Sequence, residues 1–252
     1  MTRDMGHGTT DPPTGAITLH RASYGVQGRP ILQDITLSLT ERRIGILGRN
    51  GSGKTTLLRL MAGLVAPTAG TVTVEGMDPA ADRRGMLRAL GILFQNPDHQ
   101  IIFPTVIEEL SFGLRQQGHS AAAAAAAAQA VLAAHGRAHW APAPVASLSQ
   151  GQRQLVCLLA VLAMRPRTIL LDEPFSGLDL PMQIRLTRLL DGLPQRLMTI
   201  THDPRVVAGH DRVIWLDEGR LRADGPAAEV AAAYQAEMER LGALDADADI
   251  PG

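Results

Sequence analysis

The stretch GRNGSGKTT, residues 48–56, constrains the fold more than any other part of this chain. Gly48, Gly53, Lys54 and Thr55 complete the spacing G-x-x-x-x-G-K-T. Such a turn surrounds phosphate oxygens with successive backbone N–H groups and the N-terminus of the helix that follows. Of the 24 lysines and arginines in the chain, Lys54 is the only lysine. A compact, flexible ammonium therefore stands at the one position where a broad guanidinium fork is no substitute. The loop residues Gly48, Asn50, Gly51, Ser52, Gly53, Lys54, Thr55 and Thr56 form a candidate site for a nucleoside triphosphate with Mg2+. In this scheme Lys54 reaches the β and γ phosphates and the Thr55 hydroxyl ligates the metal.

The local pattern supplies the context such a loop requires. Residues 43–47 read as a short buried strand, and 55–64 as a helix beginning inside the loop. Further strands are expected at 17–24, 35–39, 71–75, 168–171, 197–200 and 213–216, the last followed by a turn at 217–220. The strand at 168–171 ends in Asp172-Glu173, two carboxylates on successive residues. Asp172 is placed to hold Mg2+ directly or through water. Glu173, pointing elsewhere, is a candidate general base toward an attacking water. Between residues 95 and 149 the character changes to an alanine-rich, β-poor stretch broken by APAPVAS, read as an inserted helical subdomain of about 96–165. Residues 1–14 read as a disordered leader, 15–225 as the main domain, and 226–252 as a terminal helix with a solvated tail.

Composition excludes several classes of function. A formal charge of −1 offers no basic field for nucleic acid. One cysteine, Cys157, allows no disulfide within the chain. The longest strongly apolar run, 155–164, is about half of the ~20 residues that cross a bilayer. Work at a membrane then requires a partner that spans it. His135 and His139, at i and i+4, have a helix-weakening glycine between them and no third ligand, which favours solvated side chains over a metal pair.

Leu148-Ser149-Gln150-Gly151-Gln152 resembles the signature sequence of ATP-binding-cassette ATPases, and the family's other motifs follow in order. Phe175-Ser176-Gly177-Leu178-Asp179 is similar to the D-loop, Thr201-His202-Asp203 to the switch histidine, Gln95 to the Q-loop, and Tyr24 to the aromatic that stacks on adenine. The likeness covers about residues 15–225. It implies an α/β fold: a phosphate-loop NTPase (RecA-like) core with an antiparallel β subdomain and the inserted helical subdomain. It also implies catalytic roles for Glu173, His202 and Gln95, and Mg2+ ligation by Thr55, Gln95 and Asp172. Ser149, Gly151, Gln152 and Asp179 would act in trans on a partner protomer's ATP, in a head-to-tail homodimer or heterodimer. Gln150 departs from the usual LSGGQ at its first glycine. From the residues alone, Tyr24 also fits a core position and Gln95 a simple turn.

The run 94–106, FQNPDHQIIFPTV, and 110–114 resemble the Q-loop region of ATPases from energy-coupling-factor importers. The run 148–180 and the short C-terminus are most similar to ATPases of dedicated biotin systems, with cobalt or nickel import as the alternative. This resemblance implies a transmembrane coupling subunit, a separate substrate-binding membrane subunit, and a peripheral position on the cytoplasmic face of the inner (plasma) membrane. A stripe of Ile101, Ile102, Phe103 and Val106 would meet the coupling subunit, or else fill the chain's own core. Soluble cassette ATPases of assembly or repair form the alternative class.

Overall fold

A computed structural model describes residues 15–246, with side chains to 243. The expected leader, 1–14, and the last part of the tail lie outside the described residues. Strand β1, Ile17–Val26, and β2, Arg29–Leu39, form a hairpin, and β4, Ala69–Val74, joins the other side of β1. Ile17 sits opposite both Leu39 and Val74, so one face of this antiparallel sheet is a continuous apolar surface.

The second sheet grows around β3, Arg43–Leu47, whose last four residues are buried. Burial on both faces is the mark of an internal parallel strand, and Ile-Gly-Ile-Leu suits it. β3 lies between β7, Arg196–Thr201, and β8, Arg212–Asp217. Beyond β7 come β6, Thr168–Asp172, and β5, Leu90–Leu93; β9, Arg220–Pro226, closes the other edge antiparallel to β8. Helix α1, Lys54–Met61, packs between the two sheets, its Leu57, Leu58, Leu60 and Met61 sharing one core with Ile17, Leu19, Ile44 and Ile46. Helix α2, Arg83–Ala89, leads into β5.

A helical layer follows in α3, Val106–Gln116, α4, Ala121–Ala134, and α5, Gln150–Ala163. Val106, Leu110, Ala128, Leu132, Trp140, Val156 and Leu159 give it a core of its own. The opposite face of α5 sends Cys157, Leu158 and Val161 against Leu93, Ile169 and Leu171 of the parallel sheet. The alanine tract of α4 buries Ala124, Ala128 and Leu132, one per turn, with Ser120 capping its N-terminus through the Ala123 amide. Helices α6, Leu180–Asp191, and α7, Pro204–Val207, flank the parallel sheet, and α8, Ala227–Ala246, packs on β8 with Tyr234 edge-on to Trp215. Among the described residues no helix is long and apolar enough to cross a membrane.

Two sequence expectations need correction. Pro226 does not open the terminal helix; it ends β9 opposite Arg212, since a proline at a sheet edge sacrifices no interior ladder bond. Val106 is no part of a surface stripe, because the first turn of α3 rolls it wholly into the helical core.

Candidate active site

Three parallel strands deliver the site. Register places Leu47 of β3 beside Thr201 of β7, and Asp172 of β6 beside Ile200. The carboxyl ends of all three therefore lie along one sheet edge, where open α/β sheets form their ligand crevice. The loop after β3 turns sharply into α1. A Cβ on Gly48 would run into the Leu216 carbonyl and the Ser52 hydroxyl, and Gly53 adopts a left-handed φ of 101° as the N-cap of α1. No side chain caps this helix and no acid occupies its first turn. The free amides and positive dipole end suit an anion, and the Ser52 hydroxyl is buried without a partner. These residues fit a triphosphate.

Lys54 is 7% exposed and curls over the loop, its Nζ donating to the Gly48 carbonyl at 2.6 Å and the Arg49 carbonyl at 3.0 Å. Burial pulls its pKa below the usual lysine value, against the opposing pull of Glu173 and Asp172. The ammonium is already inside the site and needs only to change acceptors.

Asp172 is buried, and desolvation, then the Glu173 charge, raise its pKa; Lys54 and a hydrogen bond from Thr55 act the other way. Glu173 follows with a left-handed φ of 45°, its amide donating to the Ile200 carbonyl at 2.9 Å. That turn swings its carboxylate off the strand line and toward β7. There one oxygen accepts from the Thr201 hydroxyl at 3.0 Å and the other lies 2.8 Å from Nδ1 of His202. Thr201, which the sequence marks only as the neighbour of the switch histidine, fixes one side of the carboxylate. Its position at the end of a strand, immediately before the histidine, was the available signal.

Thr55, Asp172 and Gln95 line one cavity of about 710 Å3, together with Ser176 and Gln150. Gln95 donates from Nε2 to the Ser176 hydroxyl at 3.3 Å. A hydroxyl, a carboxylate and an amide oxygen form the hard donor set that Mg2+ prefers, so these residues fit that ion. A neighbouring cavity of about 560 Å3 holds Glu173, Thr201 and His202, and Ser176 borders both.

The residues expected to act in trans are not gathered with Lys54. Ser149 caps α5 in a reciprocal box: its hydroxyl accepts from the Gln152 amide at 3.3 Å, and its amide donates to the Gln152 side chain at 2.8 Å. Gly151 faces Met182 of α6, and Asp179 caps α6 by accepting from the Met182 amide at 2.9 Å. Gln150, exposed on α5, extends its amide toward Gly177. Tyr24 is half-buried, packed on the main core and opposite Leu32, whose side chain abuts Gly53. Tyr24 itself lines neither cavity.

A family model for ABC transporters matches residues 32–176. The chain belongs to the ABC transporter ATPase family. This ABC ATPase is 54% identical over 227 residues to the biotin transport ATP-binding protein BioM of Rhodobacter capsulatus, covering 90% of this chain and 95% of that protein. It is 42% identical over 219 residues to BioM of Rhizobium etli, covering 87% and 97%. Among solved structures it is similar to cbiO1 of Clostridium perfringens, part of the ABC transporter complex cbiONQ, with a TM-score of 0.74 and 28% identity over 90% of this chain and 97% of that one. The energy-coupling-factor likeness read from residues 94–106 agrees with these relatives.

Proposed function

We propose that this ABC ATPase powers biotin uptake as the nucleotide-driven subunit of an energy-coupling-factor importer. The 54% identity to a biotin transport ATP-binding protein over nine-tenths of the chain carries the choice of substrate. Biotin itself would bind a separate membrane subunit, and a transmembrane coupling subunit would dock against the outer face near Ile102 and Phe103. The ATPase then lies peripherally on the cytoplasmic face of the inner membrane. Nucleic acid has no part in this scheme.

The geometry and the motif order support the following division of labour. Loop amides 51–56 and Lys54 hold the phosphates; Tyr24 stacks on the base. Thr55, Asp172 and Gln95 would hold Mg2+, which would supply neutralisation of phosphate charge. Glu173, held by Thr201 and His202, takes a proton from the attacking water, and His202 faces the γ-phosphate. Ser149, Gly151, Gln152 and Asp179 come from a second protomer, identical or related, placed head to tail. Closure on ATP and release after hydrolysis drive the membrane subunits.

The test is reconstitution in vesicles with the membrane proteins encoded beside it. ATP inside the assay should drive accumulation of labelled biotin, and Glu173→Gln should stop it. Accumulation of cobalt or nickel instead would move the assignment to metal import. Isolation with soluble assembly factors and no polytopic membrane protein would sink the importer reading.

A further inference from the structure

Two cavities on opposite sides of the segment after Gln95 have only one pair of residues in common. The nucleotide-side cavity of about 710 Å3 and an outer groove of about 600 Å3, bordered by Ile102, Phe103 and Pro144, share Asp98 and Arg153 and nothing else. Arg153 Nε lies 2.9 Å from Asp98 Oδ1, yet that nitrogen has no aligned hydrogen bond. The contact is thus an ion pair without a directional lock, partly open to water, and such a pair is readily remade.

Each partner is wired to one moving part. Arg153 stands in the first turn of α5 and donates from Nη1 to the Leu148 carbonyl at 2.7 Å, just ahead of Ser149. Asp98 belongs to the 3-10 turn Pro97–His99, which Asn96 caps by accepting from the Asp98 amide at 2.9 Å. That turn continues directly from Gln95. Its far end is clamped by the buried Glu109 carboxylate, which accepts from the amides of both Ile102 and Phe103 at 2.9 Å. Residues 96–103 are thereby a stiff arm with Gln95 at one end, the groove at the other and Asp98 between them.

We propose that the Asp98–Arg153 pair positions the signature loop against this arm, so that the outer groove and the nucleotide cavity change shape together. The proposal rests on the reading that the cavity beside Gln95 takes ATP. Nucleotide contact at Gln95 shifts the arm; Asp98 carries Arg153, and with it Leu148 and Ser149. Without the pair, the arm and α5 move independently. Both residues act through others and neither is placed against the reacting atoms.

A single reporter tests this in the full-length chain. Cys157 is the only cysteine; it is buried, and burial pushes its thiol up to about 12. An environment-sensitive maleimide therefore labels Ile102→Cys alone, at a side chain 67% exposed. Adding a non-hydrolysable ATP analogue with Mg2+ should change the label's emission. In Asp98→Asn and Arg153→Gln that response, read at analogue concentrations that calorimetry shows to be saturating for each variant, should fall by about threefold or more. Asp98→Glu, which keeps a carboxylate for Arg153 and leaves the Arg153–Leu148 hydrogen bond intact, should retain the response, which general loosening at this position would not allow. An unchanged response in the single variants overturns the proposal, as does a silent label on a parent protein that binds the analogue. An Asp98→Glu variant as silent as Asp98→Asn overturns it too. Failure of the parent to bind any analogue would be a separate result, defeating the nucleotide reading and this inference with it.

Discussion

Lys54 holds two carbonyls of its own loop in a pocket that leaves it 7% exposed. The flexible stem lets one ammonium trade those carbonyls for phosphate oxygens; a planar guanidinium of greater width cannot turn in that space. Lys54→Arg should therefore weaken ATP binding by about tenfold or more despite the kept charge, read by nucleotide titration. Glu173 differs, because its proposed role is toward the attacking water and not the phosphates. Glu173→Gln should leave affinity near the parent value while turnover falls by a factor of about 100 or more, with an ATP-bound dimer visible by gel filtration. Near-parental multiple turnover would remove Glu173 from the role of base. Asp172 presents a conflict between stability and chemistry. Its pKa is raised, first by burial and then by Glu173, so its charge disfavours folding above the ordinary carboxylate pKa. That penalty is relieved as pH falls through the raised folded value. Asp172→Asn should raise the thermal midpoint of the nucleotide-free protein at pH 7, while hydrolysis is lost. The gap in midpoint should close on acidification, and a lower midpoint at pH 7 would contradict the burial argument.

Elements with a single dominant signal were legible in the sequence, and those that rely on neighbours were not. The strand at 43–47 coincides with β3, because a buried parallel strand must be apolar on both faces and Gly48 ends it. Helix α1 starts one residue before the expected Thr55 and stops at Met61, short of Leu64, with Gly63 taking a left-handed φ of 68°. β9 went unseen: its inward positions are Leu221, Ala223 and Gly225, too little apolar surface to announce a strand that pairing with β8 enforces. In the site, Asp172, Glu173 and His202 could be placed from motif order, whereas the Thr201 and Ser176 hydroxyls depend on distances across strands and loops. The outer face shows the same limit. Ile102 is exposed and Phe103 half-buried against Phe112, ring centres 5.1 Å apart, but Val106 belongs to the core. What shapes this face is Glu109, whose buried carboxylate serves two loop amides. Glu109→Ala should cost about 1–3 kcal/mol, since both donors lose a charged acceptor. Thermal unfolding would show it, and an unchanged midpoint would mean the loop is held by other contacts.

One protomer does not bring all its functional residues to one place. Ser149 and Asp179 serve as caps of α5 and α6, and neither lines the cavities that hold Thr55, Asp172, Glu173 and His202. If the site is completed only by a second copy, defects in the two halves must complement. A Lys54→Ala protomer lacks the phosphate hold but keeps its signature loop; a Ser149→Arg protomer has the reverse defect. Each alone should be inactive. Mixed in equal amounts and allowed to exchange, half the dimers carry one of each, and every such dimer has one complete site. Activity should recover to about a quarter of the parent value, the fraction set by isologous pairing of two protomer types. Steady-state hydrolysis against mixing ratio measures it, with a maximum at equal proportions. A mixture as inactive as its components would show that the signature loop acts within its own chain. So would a protomer kept monomeric by dilution that still hydrolyses ATP at the parent rate. In either case the helical layer would have to swing toward its own phosphate loop, and the shared core joining α5 to β6 stands against that movement.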